Sequence, residues 1–163
     1  MAGRANFSDE EWNLLRLAPV LVASGVSISD PSGLIGTVKE AFYGMSSMME
    51  SYKHGTQLEL IGALLADKSR PAMPDRGALL GEGSKEQQFE NLKTAVLGKV
   101  RETLALLGTK ASPEEVAAYK QMIATVAEET AKASKEGGFL GFGGERVSAG
   151  EQTFLDQVKS VLA

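Results

Sequence analysis

Five apolar stripes, each repeating at three- and four-residue steps and most of them introduced by a helix-start signal, restrict this chain to helices. Leu14, Leu15, Ala18, Leu21 and Val22 form the first. The second runs through Leu34, Ile35, Val38, Phe42, Met45, Met48, Met49 and Tyr52, and the third through Phe89, Leu92, Val96, Val100 and Leu107. Val116, Tyr119, Ile123, Val126 and Ala127 make the fourth; Phe154, Leu155, Val158, Val161 and Leu162 make the fifth. VASGVSISD alternates over only a few residues between two such stripes, so nothing reads as a strand. The expected fold class is all-α: a compact bundle of about five helices in a single domain over residues 1–163, with the methionine-rich second helix central.

The punctuation agrees with the stripes. Ser8 and Glu11 have the spacing of a capping box, in which the serine oxygen accepts from a free first-turn N–H while the glutamate reaches back. Phe7 and Trp12 stand at the spacing of a hydrophobic staple, which gives the tryptophan a structural role. Ser112-Pro113-Glu114-Glu115, Ser148 with Glu151, Ser84 with Gln87, and Asp30-Pro31 are further helix starts. Pro19 falls inside the first stripe and deprives the Leu15 carbonyl of its helical donor, so a kinked but continuing helix is expected. Gly55 is expected to end the second helix and Thr56 to Ala66 to form a short one. The proline- and glycine-rich residues 67–83 then either stay mobile or wrap across the bundle.

Composition narrows the function classes. With 21 acidic against 17 basic side chains the net charge is -4, which disfavours nucleic acid as a partner. The chain has no cysteine, hence no thiolate nucleophile and no disulfide framework. MAGRANFSDEEW lacks the apolar core of a signal peptide, and no run approaches the length of a membrane span. A cytoplasmic protein without stable membrane insertion is expected.

Candidate chemistry is sparse. Glu50 and the sole histidine, His54, lie four apart and would share a helix face, making them weak candidate metal ligands. Carboxylate-bridged metal bundles use Glu-x-x-His, three apart and twice, so the spacing favours a surface histidine near a helix end. Glu10-Glu11 and Glu114-Glu115 sit where first-turn carboxylates favour the helix dipole, and Glu128-Glu129 is expected on a solvated face near Thr125 and Thr130. No catalytic residue and no cofactor is assigned.

KEGGFLGFGG, residues 135–144, is the one stretch that looks built for contact. It follows a helix and lacks the terminal Lys-Ser/Thr of a phosphate loop, and the flanking Lys135, Glu136, Glu145 and Arg146 sum to zero charge, which gives no attraction to anionic lipid. Gly137 is expected to cap the preceding helix, Phe139 and Leu140 to turn back over the bundle, and Phe142 to stay most exposed. Five ordered glycines carry a large entropic cost, which suits a loop that moves or meets a partner backbone closely. Phe139, Leu140 and Phe142 are therefore the candidate interaction loop.

KEGGFLGFGGERVSAGE, FSDEEWNLLRLAP and DPSGLIGTVKEAF together resemble a family of small bacterial helical proteins, a resemblance that touches both ends of the chain and implies no activity. Gly25-Val26-Ser27 and Arg146-Val147-Ser148, read as two Val-Ser helix starts after a glycine, are also similar to those of helical tellurite-resistance proteins. Those starts read Asp-Gly, a hydrophobic residue, Ser and later Glu. Ser24 and Gly143 stand where the acidic residue belongs, so a metal site is not carried over. Two function classes follow: a noncatalytic interaction or stress-related protein, either a homo-oligomer or bound to a protein partner, and a carboxylate-metal or small-ligand-binding bundle.

Overall fold

The computed structural model describes residues 1–29, 52–136 and 148–163. Among these residues a 3-10 turn at Arg4–Asn6 precedes six helices: α1 Asp9–Ile28, α2 Glu59–Ala66, α3 Arg76–Leu80, α4 Lys85–Lys110, α5 Pro113–Glu136 and α6 Ala149–Leu162. No strand occurs among the described residues, and the fold is an all-α bundle. The expected second helix over residues 34–52, and the central place given to it, lie outside the described residues apart from Tyr52, which is not helical.

The central helix of the described bundle is α1. It packs against α4, α5 and α6, and every residue from Leu17 to Ser27 is buried. A helix covered on all sides has to be apolar around its whole circumference, and LAPVLVASGVS is. The start is as the sequence dictates: Ser8 accepts from the Glu11 N–H, Glu11 accepts from the Ser8 N–H, and the Phe7 and Trp12 rings lie 5.9 Å apart. The end is not. Gly25-Val26-Ser27 does not start a helix but lies inside α1, so the resemblance between two Val-Ser helix starts has a structural counterpart only at Ser148, which caps α6.

Two physical reasons keep α1 helical through Ala-Ser-Gly-Val-Ser. Its buried hydroxyls are satisfied within the helix, Ser24 donating to the Val20 carbonyl at 2.9 Å, Ser27 to Ala23 at 2.9 Å and Ser29 to Gly25 at 2.7 Å. Gly25 has the Phe154 ring of α6 pressed against it, so close that a Cβ there would lie 2.6 Å from two ring carbons. Gly150 makes the matching contact at the other end of the seam, its Cβ position 2.5 Å from the Ser29 carbonyl oxygen. Glycine here is a packing device between helices, not a breaker.

The apolar stripes are the core. Leu92, Val96, Val100 and Leu107 of α4, Tyr119, Ile123, Val126 and Ala127 of α5, and Phe154, Leu155, Val158 and Leu162 of α6 are all buried. Leu14, Val116 and Val161 are only half-buried, at the stripe edges. Helix α2 begins at Glu59, three residues later than Thr56, because residues 54–57 form a turn in which Gly55 takes a φ of 71°. The following segment wraps along α1: the Asn13 amide donates to the Ala72 carbonyl at 3.0 Å and accepts from its N–H at 2.6 Å.

Glycine-to-alanine substitution is expected to have opposite signs at two helical sites. Gly98 of α4 is exposed with open space around it, so Gly98→Ala should stabilise by about 0.5–1 kcal/mol through lost unfolded-state entropy. Gly25→Ala should destabilise by about 1–3 kcal/mol through overpacking on Phe154, and shortening that residue with Phe154→Leu should recover part of the loss. Urea unfolding measures both; equal gains at the two sites would contradict the packing.

Candidate functional site

One line of interior polar contacts runs from the start of α5 to the proline turn of α1. Pro19 has no N–H, so the Leu15 carbonyl lacks its helical donor while Leu15 itself is fully buried. Tyr119, one turn into α5 and also fully buried, supplies the missing bond: its hydroxyl donates to the Leu15 oxygen at 2.7 Å. Burial pushes the phenol strongly up, so it stays a neutral donor at any ordinary pH.

One turn before Tyr119, Glu115 is the third residue of α5 and completely buried, whereas Glu114 is exposed. Its carboxylate closes a capping box with Ser112, accepting from the Ser112 N–H at 2.9 Å while the Glu115 N–H donates to the Ser112 hydroxyl at 3.3 Å. It also accepts from Ala2 N–H at 2.9 and 3.1 Å to its two oxygens, and weakly from Leu60 N–H at 3.4 Å. Burial alone would raise its pKa; the Ser112, Ala2 and Leu60 amides and the nearby chain-start charge outweigh it and hold the group below the usual carboxylate value. Glu115 thereby ties the N-terminal segment, the start of α2 and the start of α5 to one anion.

A second polar cluster sits at the far end of α1's first turns. The Trp12 indole N–H donates to Asp67 at 2.9 Å, the Arg16 guanidinium approaches the same carboxylate at 3.4 Å, and Ser69 donates to it from its N–H at 3.0 Å and its hydroxyl at 2.6 Å. Partial burial opposes ionisation, yet the Ser69 and Trp12 hydrogen bonds and Arg16 hold the Asp67 pKa down.

The expected site residues are placed as follows. His54 is exposed in the turn before α2, with the Tyr52 ring edge-on at 6.4 Å. Tyr52 and Lys53 are not helical, which removes the helical face on which a four-residue spacing would have aligned Glu50 with His54; Glu50 itself lies outside the described residues. Phe139, Leu140 and Phe142, and the expected capping by Gly137, lie outside them too. Glu128 and Glu129 are half-buried and paired with Lys159 and Lys132, respectively. The hydroxyls of Thr125 and Thr130 donate to carbonyls one turn back. Among the described residues no group of three or more His, Asp or Glu side chains gathers around a metal-sized space.

What the sequence reading missed is the depth of Glu115 and the partner of Tyr119. Both had a signal: the Ser-x-x-Glu spacing at Ser112, and the carbonyl that Pro19 leaves without a donor one helix away.

Tyr119→Phe is expected to cost about 1–3 kcal/mol by leaving the buried Leu15 carbonyl unpaired. In a Pro19→Ala background the cost should shrink, because alanine in place of the proline restores the helical N–H. Equal costs in both backgrounds, measured by urea unfolding, would show that this carbonyl is not the partner that matters.

The low pKa of Glu115 fixes a sign for acid. A carboxylate whose folded pKa lies below its unfolded value stabilises the fold above about pH 4.3 and ceases to as pH falls through the folded pKa. The stability difference between the wild-type chain and Glu115→Gln should therefore be largest near neutrality and shrink toward pH 3. A difference independent of pH would contradict it.

No protein-family model matches this chain, and no curated protein and no solved structure matches it either.

Proposed function

We propose that this chain is a noncatalytic helical interaction protein of the cytoplasm that acts by self-association, with Phe142 of the glycine-rich stretch as its principal contact. The observation that carries the reading is how the bundle uses its buried ionisable groups. Glu115 is spent on backbone amides, Tyr119 on a backbone carbonyl, and the Glu151 carboxylate accepts from the Ser148 N–H at its own helix start. An acid, base or nucleophile at work needs a reactive atom facing a substrate; these face the chain's own backbone. The recognition chemistry then falls to apolar side chains on a glycine frame, Phe139, Leu140 and Phe142.

Light scattering over a range of concentrations, alongside thermal melts, tests the reading. The wild-type chain should associate; Phe142→Ser should weaken association about tenfold or more, the equivalent of burying one aromatic ring, and leave the monomer melt unchanged. A chain that stays monomeric at every concentration would overturn self-association. Stoichiometric iron, manganese or zinc in the purified protein, lost in His54→Ala, would overturn the noncatalytic reading in favour of a carboxylate-metal bundle.

A further inference from the structure

The 26-residue helix α4 buries Leu92, Val96, Val100 and Leu107 and leaves the opposite face open. At the centre of that open face stand Thr94, Gly98 and Ala105, all exposed and all short. Gly98 is helical, its φ is not positive, and a Cβ there would meet nothing within 4 Å. Alanine would suit the position better in the isolated chain; what glycine adds is a backbone bare of side chain, open to close approach from outside. One flank of the face carries Glu90 and Arg101, both exposed and eleven positions apart. Eleven residues are about three helical turns, so the two lie in one row. Glu90 is paired with Lys93 at 2.7 Å, and Glu102, on the other flank, with Lys99 at 2.7 Å. Among the described residues Arg101 has no carboxylate partner.

We propose that the open face of α4 is a contact between two copies of this chain, with the two α4 helices antiparallel. The charges choose the orientation. In an antiparallel pair related by a two-fold axis, each flank meets the same flank of the other copy running in reverse. The row then sets Glu90 beside Arg101 of the second copy and Arg101 beside its Glu90, two opposite-charge pairs from one self-complementary pattern. A parallel pair would set Glu90 against Glu90 and Arg101 against Arg101. Matching both pairs puts the axis halfway between residues 90 and 101, at Ala95 and Val96, next to Thr94 and Gly98. The short side chains there let the helix axes approach to about 8 Å, the near end of the usual range. Self-association as proposed above is required for this contact; Phe142 is not. The α4 face is a second surface, supplied by the described bundle itself.

Sedimentation equilibrium over a range of concentrations tests this by reversing the charges. Arg101→Glu and Glu90→Arg, each alone, turn both pairs repulsive and should each weaken association about tenfold or more. Glu90→Arg combined with Arg101→Glu makes both pairs attractive again and should bring association back to within about twofold of the unaltered chain. A double reversal no better than either single one would overturn the contact. The chain has no cysteine, so single introduced thiols report the orientation independently. Thr94→Cys lies beside the axis and should give a disulfide-linked dimer on air oxidation. Ala105→Cys should not, because antiparallel pairing sets its two copies about 28 Å apart along the helices. Efficient linking at both positions, or at neither, would overturn the antiparallel pair. Association weakened by Phe142→Ser but indifferent to the charge reversals would overturn the α4 contact and leave self-association standing; a chain monomeric at every concentration would overturn both.

Discussion

One hydrogen bond governs the arrangement of the bundle, from the Tyr119 hydroxyl to the Leu15 carbonyl. A proline in the middle of a buried helix is costly mainly because it leaves a carbonyl without a donor where water cannot reach. Here the donor comes from another helix, so the irregularity in α1 is also the point that fixes α5 against it. Any sliding of the two helices by a turn would strand both polar groups in an apolar core, and that penalty makes the register of the α1–α5 pair unique.

Glu115 extends the same logic by one helical turn. Capping boxes ordinarily sit at the surface, and the one at Ser8 does, with Glu11 also bonded to Lys110 at 2.6 Å. The glutamate of the box at Ser112 is buried because the N-terminal segment and the start of α2 cover it, and each covering element brings a backbone N–H that donates to the carboxylate. A local helix signal has thus become a tertiary joint, in which three segments distant in sequence share one negative charge.

Much of this was legible beforehand, and the boundary between what was and what was not is physical. The stripes of α4, α5 and α6 and the capping signals at Ser8, Ser84, Ser112 and Ser148 are set by contacts within a turn or two, so the sequence displays them. The continuation of α1 through Gly25 was misread because its cause is the Phe154 ring, more than a hundred residues away, and no local pattern encodes that approach. Glu115 was read only as a first-turn carboxylate favoured by the helix dipole, and its burial was missed for the same reason: the first-turn position is local, while its cover comes from Ala2 and Leu60. The alignment of Glu50 with His54 depended on helical backbone through Tyr52 and Lys53, which are not helical and lead into the turn at Gly55.

The Trp12 corner has a consequence for how unfolding is observed. Trp12 is the only tryptophan in the chain, 3% exposed, with its indole N–H on Asp67 and the Arg4 guanidinium 5.3 Å above its ring. Its emission therefore reports most directly on one junction, where the first turn of α1 meets the strap that follows α2. Circular dichroism, by contrast, weights every helix by its length. Where the two signals change together the bundle unfolds as one unit; where emission changes first, the strap and the N-terminal segment have peeled away from a helical core that still stands.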